Sequence, residues 1–179
     1  MSRESYSNFA VTLSLKFICT RRPSIFEIAT AFEDGKNGEI RPKENGPYDA
    51  YKTLSKDEKN FVTRHPFFAD MFNINAEKAK RVGRELGGTK NGYGDAVRHC
   101  YWCALNQKDA GFKSPYAKEF GDAHESDSGN DVYEKEMDLH NNSIGYHLGN
   151  QAIINGWSEE ELLNQVIDAA DNGRLKILE

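Results

Sequence analysis

The chain has 179 residues, 38% of them hydrophobic and 28% charged, with a formal net charge of −5. That length and balance suit one soluble domain, with or without an added N-terminal segment, able to bury a sizeable core. No apolar run reaches the roughly 18 residues a membrane-spanning helix needs, and the acidic balance weighs against gripping nucleic acid by counterion release.

Phe9, Val11, Leu13, Leu15, Phe17 and Cys19 are apolar at every second position, with Thr12, Ser14 and Lys16 between them. This period of two predicts one strand, with a helix as the alternative. A lone strand cannot satisfy its own backbone, so it is expected to pair with another chain or a short local segment. The polar interruptions, with no small-residue cleavage site after them, do not read as a signal peptide. The chain is therefore expected either to stay in the cytosol or to be secreted by a route without a cleaved leader. Ser24 can cap a short helix from Ile25 to Phe32, and the Gly- and Pro-bearing stretch from 35 to 50 reads as a linker. Residues 1–50 thus form an N-terminal segment and 51–179 a helical domain.

Within that domain, Ser55-Lys56-Asp57-Glu58 is a capping box opening a helix that stops before Pro66. A second helix runs from Pro66 to Leu86 and ends at Gly87-Gly88. A third spans Tyr93 to Ala110, ended by Gly111. Ser114-Pro115 restarts a short helix reaching His124, and residues 126–131 form a loop with no EF-hand spacing. A long helix follows from Val132 to Asn155, and the box Ser158 to Glu161 opens a last one ending near Asn172-Gly173. The expected fold is an all-α bundle of five to six helices behind an extended N-terminal segment.

Three polar clusters interrupt these apolar patterns. Asp95, Arg98, His99 and Trp102 lie at i, i+3, i+4 and i+7, one stripe of one helix. A carboxylate beside an imidazole fixes its tautomer and raises its basicity, which suits a general base or a metal ligand. Gly121-Asp122-Ala123-His124-Glu125 closes the next helix, where Glu125 can serve as an acid or a ligand. Position 128 is serine, so this is not an H-E-x-x-H zinc site. Asp138, Asn141, Asn142, Gly145 and Gly149 share a stripe of the long helix. Two adjacent asparagines cost helix propensity, so a local hydrogen bond must reward them, and the glycines allow a neighbouring helix close. Each cluster also has a plain reading as a satisfied polar core, with His124 merely facing the helix dipole. His65 reads as structural or exposed. Cys100 and Cys103 match C-x-x-C, but they sit in mid-helix within an odd cysteine count and read as packing residues.

Asn91-Gly92…Asp95-Ala96…Arg98-His99…Trp102, then Gly121 to Glu125, then Met137-Asp138-Leu139-His140-Asn141-Asn142…Ile144-Gly145 resembles an uncharacterised helical domain. That domain stands at the C-termini of bacterial secreted and polymorphic toxins. The likeness covers about residues 54 to 178, with Leu54-Ser55…Glu58-Lys59 at its start and Gly173-Arg174-Leu175 at its end. It implies a toxin-type effector that acts in a target bacterium, is hydrolytic, and is restrained by an immunity protein. Asn91, Asp95, Arg98, His99, Asp122, His124, Glu125, Asp138, Asn141 and Asn142 fall on the matching positions.

The expected site is one that activates water. His99, oriented by Asp95 or Asp138, is the base or ligand, and Glu125 or His124 the second acid–base group. Arg98, Asn142, Asn141 and Asn91 are expected to hold substrate oxygens. A divalent metal such as zinc would be shared by His99, His124 and an aspartate, Asp122 being the nearest in sequence. The expected substrate is in the cell envelope, a phospholipid or peptidoglycan. A nuclease or other phosphodiesterase is the enzymatic alternative, and an adaptor whose clusters are only a polar core is the non-enzymatic one. A secretion-system component is a further expected partner; stable membrane insertion is not expected.

Overall fold

The computed structural model describes residues 51–126, 129 and 131–178. The alternating segment at 9–19, the helix at 25–32 and the linker expected before residue 50 lie outside the described residues. Among the described residues there is no strand. A helical turn at 51–53 leads into six helices: α1 (Lys56–Arg64), α2 (Pro66–Glu85), α3 (Tyr93–Ala110), α4 (Tyr116–Glu125), α5 (Val132–Asn155) and α6 (Glu159–Asp171). The all-α bundle is therefore as expected.

Local chemistry sets most of the boundaries. Reciprocal capping boxes open α1 (Ser55 with Glu58), α5 (Asp131 with Glu134) and α6 (Ser158 with Glu161). Pro66 takes the first position of α2, where its missing N–H costs nothing. Gly156 ends α5 with φ at 68°, a left-handed turn that a side chain would strain.

α3 is the axis of the bundle and packs against α5, α2, α6 and α4. Every residue from His99 to Gln107 is buried, so this helix has no solvent face over two and a half turns. On one side Phe61, Phe72 and Phe120 pack ring against ring at 4.9–6.0 Å, with the Trp102 ring edge-on to Phe120 at 5.8 Å. The Trp102 indole also donates to the Phe72 carbonyl at 3.2 Å, which ties α3 to α2. On the other side α5 lies close because it presents Gly145 and Gly149. A Cβ at 145 would stand 2.3 Å from the Cys100 carbonyl oxygen, and one at 149 would stand 2.5 Å from that of Ala104. Cys100 and Cys103 are free, buried thiols in this seam, and burial pushes Cys100 up to about 12, so it stays a protonated packing group.

Candidate active site

Three helices deliver the acid–base groups. α3 brings Asp95, Arg98 and His99, α4 ends on His124 and Glu125, and α5 contributes Asp138 from its second turn. They line one pocket of about 380 Å³ together with Gly88, Lys90 and Asn91 from the α2–α3 loop. A smaller cleft of about 180 Å³ shares Gly88, Asp95 and Arg98 with it and adds Lys80 and Arg84.

His99 is the centre. Its side chain is 5% exposed, with Nδ1 at 3.6 Å from Glu125 Oε1 and Nε2 at 3.3 Å from Asp138 Oδ1. Arg98 Nη2 lies 2.6 Å from the same Nε2. A guanidinium can only donate, so Nε2 accepts there and the neutral ring carries its proton on Nδ1, toward Glu125. Burial, and then the Arg98 charge, push the His99 pKa down to about 3, so the ring is neutral near pH 7.

The surrounding carboxylates divide into two kinds. Asp95 is fully engaged: it accepts from the Asn91 backbone at 2.9 Å and from Arg98 Nε at 2.8 Å. Burial alone would raise its pKa, but these donors and the Arg98 charge hold it below the usual aspartate range. Glu125 lacks such support. Glu125 Oε1 receives only a long 3.4 Å bond from Asn142, and Oε2 has no hydrogen-bond partner. Burial raises the Glu125 pKa; burial, then Glu125 and Asp95, raise Asp138 to about 7. Two buried carboxyls with raised pKa values flanking a neutral imidazole can share a proton, pass it to a substrate, or hold a cation.

His124 also faces the pocket, but it answers to a different carboxylate. Its Nδ1 meets Glu58 Oε1 at 2.8 Å, and its ring stands edge-on to Trp102 at 5.2 Å. Burial works against the charged ring, yet the Glu58 hydrogen bond and charge raise its pKa. Glu58 was legible only as the last residue of a capping box, and it does both jobs: Oε2 accepts from the Ser55 backbone at 2.7 Å. Lys90 and Gly88, which the sequence reading also left out, complete the mouth.

The remaining candidates go elsewhere. Asp122, placed beside His99 and His124 as a metal ligand, is exposed, bound to Lys118 one turn earlier on α4, and does not line the pocket. The donors that converge are His99, Glu125 and Asp138, whose ligand atoms lie within 4.8 Å of one another. Asn141 is fully buried but grips the C-terminal tail: its amide donates to the Lys176 carbonyl at 3.0 Å and accepts from the Lys176 N–H at 2.9 Å. Asn142, one residue on, lies beneath Glu125 and positions it. Asn91 sits at the rim with φ at 67° and turns the chain into α3. Its side chain donates to Glu134 at 2.6 Å and its carbonyl accepts from Leu178 at 3.1 Å.

No curated protein and no solved structure matches the chain. The family model described as a domain of unknown function (DUF6973) matches residues 59–174, which takes in α2 to α6, most of α1 and every residue that lines the pocket; the chain belongs to that family.

Proposed function

We propose that this protein is a secreted antibacterial effector that hydrolyses a cell-envelope substrate at the His99–Glu125–Asp138 site. The observation that carries the reading is that constellation: an imidazole between two buried carboxyls, with Glu125 Oε2 left without a hydrogen bond, opening into a pocket of about 380 Å³. A purely structural cluster would be expected to close its hydrogen bonds, as Asp95 does with Asn91 and Arg98. Secretion, an immunity protein and a secretion-system partner rest on the toxin resemblance alone.

Among envelope substrates the basic cleft favours a phosphate-bearing lipid over peptidoglycan. Arg98, Lys80 and Arg84 line the cleft and Lys90 stands at the pocket mouth, so an anionic group reaching the trio passes cations. The same chemistry would cut a nucleic-acid phosphodiester, which is the second reading. The net charge of −5 weighs against a long polyanion.

Expression in a bacterial host with and without an added export signal separates the two. Killing on export only, lost in His99→Ala by a factor on the order of 10²–10⁴ in specific activity, supports the lipid. Killing from the cytosol only transfers the site to nucleic acid. Folded protein that harms the host from neither compartment sinks the toxin reading.

A further inference from the structure

The trio brings two buried carboxyls and an imidazole to one point, apart from the ion pairs around it. Asp95 and Arg98 compensate each other through two hydrogen bonds to Asp95 Oδ1. Glu58 and His124 form a second self-contained pair at 2.8 Å, and Lys90 is engaged with Glu134 at 2.8 Å. Glu125 and Asp138 are both buried, 1% and 4% exposed, beside a neutral imidazole, and Glu125 Oε2 has no hydrogen-bond partner. A buried carboxylate oxygen without a hydrogen bond is costly, and a bound cation would offset that cost at Glu125.

The donor set has the composition of an open transition-metal site: one imidazole and two carboxylates, drawn from three different helices. Ligands about 2.0–2.2 Å from a tetrahedral ion stand roughly 3.3–3.5 Å apart, and Asp138 Oδ1 lies 3.3 Å from His99 Nε2. Glu125 Oε2 has no hydrogen-bond partner, although the side chain is almost fully buried and lines the pocket. The Arg98 guanidinium already brings positive charge to His99 Nε2 at 2.6 Å. It is about one-third exposed, so it can withdraw onto Asp95 and leave that nitrogen to an ion. The pocket then supplies room for water or substrate at the open position.

We propose that His99, Glu125 and Asp138 bind one divalent transition-metal cation, with zinc as the reference ion. A mixed nitrogen and oxygen set favours such an ion over magnesium or calcium. The proposal deepens the hydrolytic reading and shares its residues, but ion binding itself does not depend on hydrolysis. A cation there would polarise a phosphoryl oxygen or lower the pKa of a bound water.

The test uses the full chain, stripped with chelator and titrated with zinc, then cobalt. The expected result is one ion per chain, a raised melting temperature, and a cobalt absorption spectrum of four- or five-coordinate nitrogen and oxygen ligation. Glu125→Gln and Asp138→Asn should each weaken zinc at least ~100-fold, while Asp122→Asn binds as the wild type does. Binding that survives both substitutions, or a wild-type chain with no stabilisation and only an aqua-cobalt spectrum, overturns the site. The wild-type measurements decide even if a variant fails to fold. A chain that binds zinc yet kills from neither compartment keeps the metal site and loses the hydrolase. A chain that kills without any ion does the reverse.

Discussion

The two long helices α3 and α5 meet twice, and the two meetings are built on opposite principles. Toward their C-terminal halves the contact is dry and close, with Gly145 and Gly149 seated against the backbone of Cys100 and Ala104 and the Gln107 stem. Toward their N-terminal halves the same pair of helices separates His99 and Asp138 by 3.3 Å around a polar pocket. Packing of the first kind contributes dispersion and apolar burial at every atom. The second kind gives that up and buries charge as well. The difference teaches that the glycine seam is what makes the site tolerable: it holds the helices at a fixed distance, so side chains that would otherwise spread apart stay convergent.

Overfilling the seam should have the largest effect. Gly145→Val places a branched side chain against the Cys100 carbonyl and the Cys103 Cβ, neither of which can move without moving α3. A loss of about 3 kcal/mol or more is expected, a fall of roughly 10 °C in melting temperature. Calorimetry showing a change under a third of that would mean the helices slide apart freely, and the comparison would fail. The polar end should respond with the opposite sign. Glu125→Gln keeps the side-chain shape and removes a buried charge whose Oε2 has no partner. In chelator-treated protein it should raise stability by about 1 kcal/mol, read as a rise of roughly 3 °C, while activity falls. Stability lost in the ion-free variant would instead make Glu125 a structural residue.

Much of this arrangement was legible because its signals are local. Ser55 with Glu58, Ser158 with Glu161, Pro66 and the end at Gly111 act over a few residues, so the helices fall where the pattern puts them. Gly145 and Gly149 on one stripe announced a close neighbour for the same reason. What a stripe cannot say is which polar groups meet across helices. Asn141 and Asn142 are adjacent and equally buried, yet one clamps Lys176, 35 residues away, and the other positions Glu125. Asp122 and Glu125 are one helical turn apart, yet Lys118 holds the first outside while the second turns in. Glu58 was hidden most thoroughly. A capping glutamate is ordinarily a surface residue, and only the docking of α4 onto α1, with Ser55 Oγ donating to the Ala123 carbonyl at 3.3 Å, buries it beside His124.

That pair supplies the smallest and most discriminating effect, because it borders the pocket without belonging to its unsatisfied centre. The Glu58 carboxyl would be raised by burial, but its bonds to His124 and to the Ser55 backbone lower it below the ordinary 4.5. Its contribution to stability is therefore present above about pH 4.5 and is lost as pH falls through the lowered folded value. His124 is raised above 6.5, so its contribution is complete below that value and is lost as pH rises through the folded one. Both partners are charged, and the pair is strongest, between about pH 4.5 and 6.5. His124 is 41% exposed, which lets solvent screen the attraction, so Glu58→Gln should cost only about 0.5–1 kcal/mol in that window. The stability difference from wild type, followed by chemical unfolding from pH 4 to 9, should peak there and shrink on both sides. A flat difference would assign the cost of the substitution to the helix cap, where Glu58 also serves, and would detach His124 from any role that depends on its charge.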